Sequence, residues 1–382
     1  MSVSPAERNG LRTWVEISRS ALAHNLRVFR RILPPGCRIM AVAKSNAYGH
    51  GLYDLVPLLE ELGIDAIGVD SIVEAATLRR KGVRKPILVM GFTLPSRFGE
   101  AAQNGVALTV STFETLRALA SDEGGRKVRV HIKVDTGMHR QGFLPAQLPE
   151  VLRFLKSRPG RFAVEGLYTH FAAAKNPGGT TSTRGQIAEF EAAAAAFARE
   201  GFRPVRHACA TAGALNFPEA HYDMARIGIG LMGHWPSPET RRSWEDRISI
   251  RPVLSWRSLV SETKPLPAGA SLGYDFTERL TRDSKIGICP IGYWHGYPLA
   301  LSGKGQVLIR GRKVRVLGRV SMDMTAIDLT DAPGAKAGDV VTLIGRDRGE
   351  TVDADATARL AGTTVYEFLT RLNPLLRKIP VR

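Results

Sequence analysis

Apolar positions along this chain follow two rhythms. From Ile39 to about Ala225, short apolar runs alternate with longer stretches whose apolar residues recur every three or four positions. The short runs, at 39–43, 66–69, 86–90, 107–110, 128–134, 162–168, 204–209 and 222–225, read as buried strands. Residues 52–62, 72–81, 96–104, 112–120, 148–156 and the Ala-rich 185–200 read as helices, with a short one near 213–217. Ahead of them, 11–17 reads as a strand. Residues 19–33 read as a helix with Leu22, Leu26, Phe29 and Leu33 on one face, stopped by Pro34-Pro35-Gly36. Strands alternating with helices predict a parallel α/β fold, and eight of them predict a closed (β/α)8 TIM-type barrel. A doubly wound open sheet is the alternative, but no GxGxxG follows the first strand.

After about Trp235 the rhythm changes. Residues 236–246 are polar, hold two prolines and read as a linker. Strand-like runs follow at 253–262, 285–289, 306–309, 313–316, 324–328 and 340–344, separated by turns such as Arg310-Gly311-Arg312 and Pro333-Gly334. A last helix, 364–372, is stopped by Pro374. The expectation is a barrel domain over 11–240 and a mostly β C-terminal domain over 247–382, with strand 11–17 a candidate to pair with the latter.

A length of 382 residues suits two domains and is enough to bury a large core without staples. Cys37, Cys209 and Cys289 are odd in number and far apart, which argues against a disulfide framework or a zinc site and fits a reducing, cytoplasmic setting. A net charge of +17 raises the question of nucleic acid. The basic residues are dispersed and lack interleaved aromatics, so no nucleic-acid partner is expected. The polar N-terminus, 1–10, lacks a signal-peptide core, and no run is long enough to span a membrane.

Candidate chemistry gathers at strand ends. Lys44 ends the first barrel strand, where a desolvated amine can form a Schiff base; an ordinary surface lysine is the rival reading. Lys133–Arg140 closes the fifth strand, Tyr168-Thr169-His170 the sixth, His207–Thr211 the seventh and Arg226–Gly230 the eighth. In a barrel these ends share one mouth. The Gly228-Ile229-Gly230 step offers backbone N–H groups for a phosphate, with the Thr211 hydroxyl beside them; a plain glycine turn is the other reading. With a Schiff-base lysine, a phosphate-bearing aldehyde cofactor is the economical explanation.

The motifs sharpen this. K-S-N-A-Y-G-H-G at Lys44–Gly51, K-V-D-T-G-M-H-R at Lys133–Arg140, Y-T-H-F-A at Tyr168–Ala172 and D-M-A-R-I-G at Asp223–Gly228 come first. L-G-Y at Leu272–Tyr274, G-Y-W-H-G-Y-P at Gly292–Pro298, G-R-V-S-M-D at Gly318–Asp323 and T-V-Y-E at Thr364–Glu367 follow. Together they resemble the alanine racemases, pyridoxal 5'-phosphate (PLP) enzymes with a barrel and a β-rich C-terminal domain. The resemblance implies racemisation of alanine by two bases, Lys44 on one face and Tyr274 of a second subunit, in a head-to-tail homodimer, on the other. It implies Arg226 at the pyridine nitrogen, supported by His170. Tyr48, Thr211, Gly228, Ile229 and Tyr366 would hold the phosphate, and Arg140 with the Met322 backbone the substrate carboxylate. Lys133 matches a lysine often carbamylated in this family. No metal is implied.

Three departures stand out. The family's H-x-A-N-S is His207-Ala208-Cys209-Ala210-Thr211, which loses an asparagine at Ala210. G-Y-x-D-G carries His295 for the aspartate, with Trp294 beside it. L-Y-G becomes Leu231-Met232-Gly233. These suggest a larger, less acidic entrance and keep serine or a broader substrate range open. Two further rivals are a barrel-type PLP decarboxylase, which Arg226 and Tyr274 argue against, and a non-catalytic PLP-binding regulatory protein, against which the β-rich domain speaks.

Overall fold

The computed structural model describes residues 10–121, 127–176 and 180–382. Of the polar N-terminal stretch, residues 1–9 lie outside these. The chain divides into two compact units. One comprises Leu22–Ser45 and Val56–Arg251; the other comprises the described residues 10–21, with Asn46–Leu55 and Pro252–Arg382.

Strand β1 (Thr13–Ser18) opens the chain and runs into the helix Arg19–Ile32. The first-named unit is built on eight parallel strands: β2 (Arg38–Val42), β3 (Ala66–Val69), β4 (Ile87–Val89), β5 (Ala107–Val110), β6 (Val128–Lys133), β7 (Phe162–Tyr168), β8 (Val205–His207) and β9 (Met224–Ile227). Each pairs with its predecessor as far as β8, and β9 returns to pair with β2 through Met40↔Arg226 and its neighbours. The seam between β8 and β9 closes by a single parallel bridge, Ala210↔Arg226, with the Arg226 N–H on the Cys209 carbonyl at 2.9 Å. The expected (β/α)8 barrel is therefore the observed one.

Side chains two apart on a strand share a face, and the barrel uses this to build two layers. Met40, Ala66, Leu88, Ala107 and Met224 form an apolar plug, with Met90 and Val205 against it. Two residues further along the same strands stand Thr109, His207 and Arg226, all buried polar groups. The plug thus supports a polar layer nearer the C-terminal strand ends.

The other unit is mostly β. Strands β10 (Leu254–Leu259), β11 (Glu262–Leu266), β14 (Ser284–Cys289), β15 (Gln306–Ile309), β16 (Arg312–Leu317), β17 (Thr325–Asp328), β18 (Val340–Asp347) and β20 (Lys378–Val381) join β1 in the order β11-β14-β17-β16-β15-β18-β10-β1-β20. β19 (Glu350–Val352) pairs with β18, and β12 (Ser271–Leu272) with β13 (Glu278–Arg279) makes a separate ribbon. Trp14 and Ile379 pack together over β1 and β20.

Two local expectations are corrected, and one further helix is present. Residues 236–246 are not a plain linker, because Ser237 caps a helix, Pro238–Trp244, by accepting the Thr240 N–H at 3.2 Å, and Pro238 sits where no N–H is needed. The run 253–262 is two strands, since Glu262 has left β10 to pair with Ile288 of β14. A second helix, Ala354–Leu360, lies in the C-terminal region, capped by Asp353.

Gly166 of β7 shows how tightly the barrel is filled. A Cβ there would lie 2.5 Å from Cγ and Cε1 of the His131 imidazole. Gly166→Ala is expected to destabilise the protein by about 2–3 kcal/mol, read as a lowered denaturant midpoint at unchanged m-value. An unchanged midpoint would mean that His131 moves freely.

Candidate active site

Lys44 follows β2 and opens an unusual turn. Ser45, Asn46, Ala47 and Tyr48 all have positive φ, between +52° and +56°, so the chain makes one left-handed helical turn. Such a turn costs about 1–2 kcal/mol per non-glycine residue. Local bonds offset part of this: the Gly51 N–H reaches the Asn46 carbonyl at 3.0 Å, and the Asn46 side chain accepts the Leu52 N–H at 2.9 Å. At the start of the turn, Glu74 accepts the Ser45 N–H at 3.1 Å. The Lys44 amine has only Asp70, 3.9 Å away, as an ionic partner among the described residues.

Thr169, His170, His207 and Ala208 gather around one buried cation. Arg226 is 1% exposed. Its Nη1 donates to the His207 carbonyl at 2.7 Å and to His207 Nδ1 at 3.1 Å. Its Nη2 donates to the carbonyls of Thr169 and Ala208, both at 2.8 Å, and meets His170 Nδ1 at 3.3 Å. Among the described residues its Nε donor has no acceptor. Burial lowers the guanidinium pKa to about 10, which still leaves it charged at neutral pH.

An arginine can only donate, and that fixes the tautomers beside it. His207 Nδ1 must accept, so its proton sits on Nε2, which donates to His131 Nδ1 at 2.9 Å. Tyr168 stacks on His207 with ring centroids 4.8 Å apart, and its hydroxyl pairs with Thr109 at 2.8 Å. Burial, then the neighbouring arginines, pushes His131 down to about 3 and His207 well below its usual range. His170 falls to about 3 by burial and then by Arg226, Arg140, Lys133 and Lys44. These histidines are neutral supports for the cation.

Lys133 ends β6 and bonds Gln141 at 2.9 Å. Burial, then Arg140 and Arg226, lowers its pKa to about 8, with Lys44 adding to the effect. Arg140 lies in the exposed loop beyond. Asp135 ties that loop by accepting the N–H groups of Gly137, His139 and Arg140 at 2.9–3.0 Å. Burial works against its ionisation, but these three donors win and hold its carboxyl below the usual range. Thr211 starts the helix Thr211–Asn216 and accepts the N–H groups of Gly228 and Gly230, each at 3.3 Å. Gly230 must be glycine here, as a Cβ would lie 2.7 Å from Thr211 Cγ2 and from Phe29 Cε2. The N–H of buried Ile229 has no acceptor among the described residues.

In the β-rich unit, the rings of Tyr48 and Tyr366 stand 6.2 Å apart. Burial raises both phenols, Tyr48 to about 12, so both keep their protons. Gly49 passes so close to Leu369 that a Cβ would lie 2.7 Å from its carbonyl carbon. Tyr274 is 68% exposed, in a turn with positive φ at Gly273, Asp275 and Phe276. Met322 is 55% exposed, and Trp294, also on the surface, bonds its carbonyl at 3.0 Å.

The expectation of His295 at an entrance is overturned. It is buried at 6% exposure, and its Nδ1 accepts the Gly292 N–H at 3.2 Å. An imidazole nitrogen can serve there as a carboxylate oxygen would, so the exchange keeps an acceptor inside the turn. Any change in surface character at this motif rests on Trp294. Sequence reasoning passed over His131 and Asp135. For His131 a signal existed: it stands two residues before Lys133 on one strand, hence on the same face.

The donor set fits a phosphorylated pyridine aldehyde. It offers an amine at a strand end, an unpaired N–H on a buried cation, and a free backbone N–H between glycines. Residues 17–236 match the family model "Alanine racemase, N-terminal domain", and residues 253–379 match "Alanine racemase, C-terminal domain". An alanine racemase from Symbiobacterium thermophilum is 41% identical over 377 residues, 97% of each chain. The alanine racemase structure from Clostridium difficile 630 superposes with TM-score 0.91 at 29% identity, over 97% of this chain and 96% of that one. The Bacillus anthracis alanine racemase with bound L-Ala-P superposes at 0.90 with 33% identity, over 97% and 95%.

The neutral histidines make stability depend on acid. Their folded pKa values lie below the unfolded value near 6.5, so below that pH the unfolded chain binds more protons and folding weakens. His131 and His170, each near 3, are each expected to cost about 1.4 kcal/mol per pH unit as pH falls from 6 toward 4. Denaturant titrations at pH 7, 6 and 5 measure it. His131→Asn should remove one proton from the slope, and an equal slope would refute the assignment.

Proposed function

The chain belongs to the alanine racemase family, and from that premise we propose the part each residue takes in interconverting L- and D-alanine. The family depends on PLP. The relatives are alanine racemases, so the serine, broad-range and regulatory readings are not favoured. The observation that carries the assignment of roles is the buried Arg226 guanidinium, whose Nε–H meets no acceptor among the described residues.

Bound to Lys44, PLP supplies an electron-withdrawing ring that loosens the α-proton of alanine. Arg226 would meet the pyridine nitrogen through Nε. Its pKa near 10 keeps its proton in place, so it would leave a ring nitrogen held there unprotonated. Neutral His170 would hold Arg226 without competing for charge. Thr211, Gly228 and Ile229 would receive the phosphate, as would the phenols of Tyr48 and Tyr366, which stay protonated and able to donate. Arg140 and the Met322 backbone would orient the substrate carboxylate.

Inversion at Cα requires one group to take a proton from one face and another to return one to the opposite face. Lys44 serves the first face and Tyr274 the second. The wide exposure of Tyr274, Phe276 and Met322 supports Tyr274 acting in a second subunit of a homodimer. Arg226 argues against the decarboxylase alternative: that reaction gains from a protonated ring nitrogen, which an arginine does not provide. Three buried free cysteines support a reducing, cytoplasmic setting, and among the described residues no helix is long and apolar enough to cross a membrane.

Lys133, neutralised toward pH 8 amid Arg140, Arg226 and Lys44, is proposed to add CO2. The amine forms an N–C bond and releases a proton, which leaves a carbamate among three cations.

Two measurements test these assignments. In D2O with PLP, L-alanine should exchange its α-proton and invert; exchange without inversion would remove Tyr274 from its role. Lys44→Ala and Tyr274→Phe subunits, each below about 1% activity alone, should regain activity when mixed, and no recovery would refute a shared site. Separately, 13C-bicarbonate should give a carbamate carbon signal that Lys133→Gln lacks. A signal unchanged in that variant would place the modification elsewhere.

A further inference from the structure

His295 departs from the family motif, and its surroundings show what it does. The turn Tyr293–His295 is held on two sides by backbone. On one side the N–H groups of Tyr293 and Trp294 donate to the carbonyls of Ser321 and Met322, at 3.1 and 3.0 Å. A Cβ at Gly292 would lie 2.5 Å from the Met322 oxygen, so the two segments touch along their backbones. On the other side the Asn373 N–H donates to the His295 carbonyl at 3.2 Å, and the Asn373 side chain to the Trp294 carbonyl at 3.0 Å. The imidazole closes the turn from within, with Nδ1 accepting the Gly292 N–H at 3.2 Å.

We infer that His295 is a positioning residue for substrate: by accepting the Gly292 N–H it fixes the turn, and through the turn it fixes the Met322 backbone. This rests on the reading that Met322 receives the alanine carboxylate. A backbone N–H can only donate, so Nδ1 accepts only while it carries no proton; the neutral ring holds its proton on Nε2. A protonated ring offers two donors, loses the Gly292 bond, and has Asp323, 3.9 Å from Nδ1, as its attraction. Burial disfavours that charge, Asp323 favours it and Arg12 opposes it, with a net lowering from the ordinary imidazole value. The segment 371–373 meets the turn through backbone and the neutral Asn373 carboxamide, and the Arg371 guanidinium is engaged by Glu367 at 2.7 Å.

The test compares the holoenzyme with His295→Asn, which keeps an acceptor oxygen near the Nδ1 position but cannot titrate, and His295→Leu, which has none. KM and kcat for L-alanine are measured from pH 5.5 to 9, with hydrogen exchange of the peptide spanning 292–297. His295→Leu should raise KM about tenfold with kcat within about twofold, and should exchange faster in that peptide. His295→Asn should match wild type at pH 8 and lose the rise in KM that wild type shows in acid. The inference is overturned by a wild-type KM in His295→Leu, or by an acid rise in KM that persists in His295→Asn. If His295→Leu does not fold, the two remaining pH profiles decide. A wild-type enzyme that leaves alanine unchanged sinks the proposed racemisation and this inference with it, whereas KM changes of the wrong pattern sink the inference alone.

Discussion

A guanidinium removed from water must find acceptors for its donors, and much of this barrel is arranged around that requirement. Arg226 is met by three carbonyls and two ring nitrogens. Among the described residues no carboxylate takes part. A carboxylate would neutralise the cation and draw its donors into an ion pair. Carbonyls and neutral imidazoles satisfy the geometry and leave the charge in place. The apolar plug beneath excludes water, which is why the imidazoles remain uncharged. The same positive field reaches Lys133, where it adds to burial and to Arg140 in lowering the amine's pKa.

The second constraint is conformational. Left-handed turns of several L-residues persist only where the surroundings over-determine them. Here the sequence Lys44–Gly51 supplies the devices itself: Asn46 bonds forward to Leu52, and Gly49 and Gly51 absorb the remaining positive φ. Gly49 also permits close backbone passage at Leu369, on the helix that carries Tyr366. The lysine and its neighbouring tyrosine are therefore set by backbone geometry more than by side-chain packing.

The barrel was legible because each of its strands is an apolar run bounded by turn residues, a pattern that survives without tertiary information. The strand-end positions of Lys44, Arg226 and Thr211 were legible because each ends or follows a run that reads as a strand. What escaped had no periodic mark. Four consecutive left-handed residues look like an ordinary turn, since Ser45, Asn46 and Tyr48 have no local feature that dictates the hand. His295 looked like an entrance residue because a motif records type and spacing but not burial. The helix Pro238–Trp244 was hidden by its prolines, although Pro238 occupies the one helical position where proline is favoured.

The β-rich unit is discontinuous in sequence, and this bears on the timing of its assembly at the ribosome. Thr13 on β1 donates to the Arg257 carbonyl, 244 residues away. β1 also pairs with β20 at the far end of the chain. At elongation rates of about 5–20 residues per second, the apolar segment around Trp14 and Ile17 waits roughly 12–50 seconds for its first partner strand. The barrel can close during that interval, since all of its strands are made by then. The nascent protein is thus a finished barrel trailing an unpaired hydrophobic ribbon at its beginning, the kind of segment that chaperones bind and that stray strands capture.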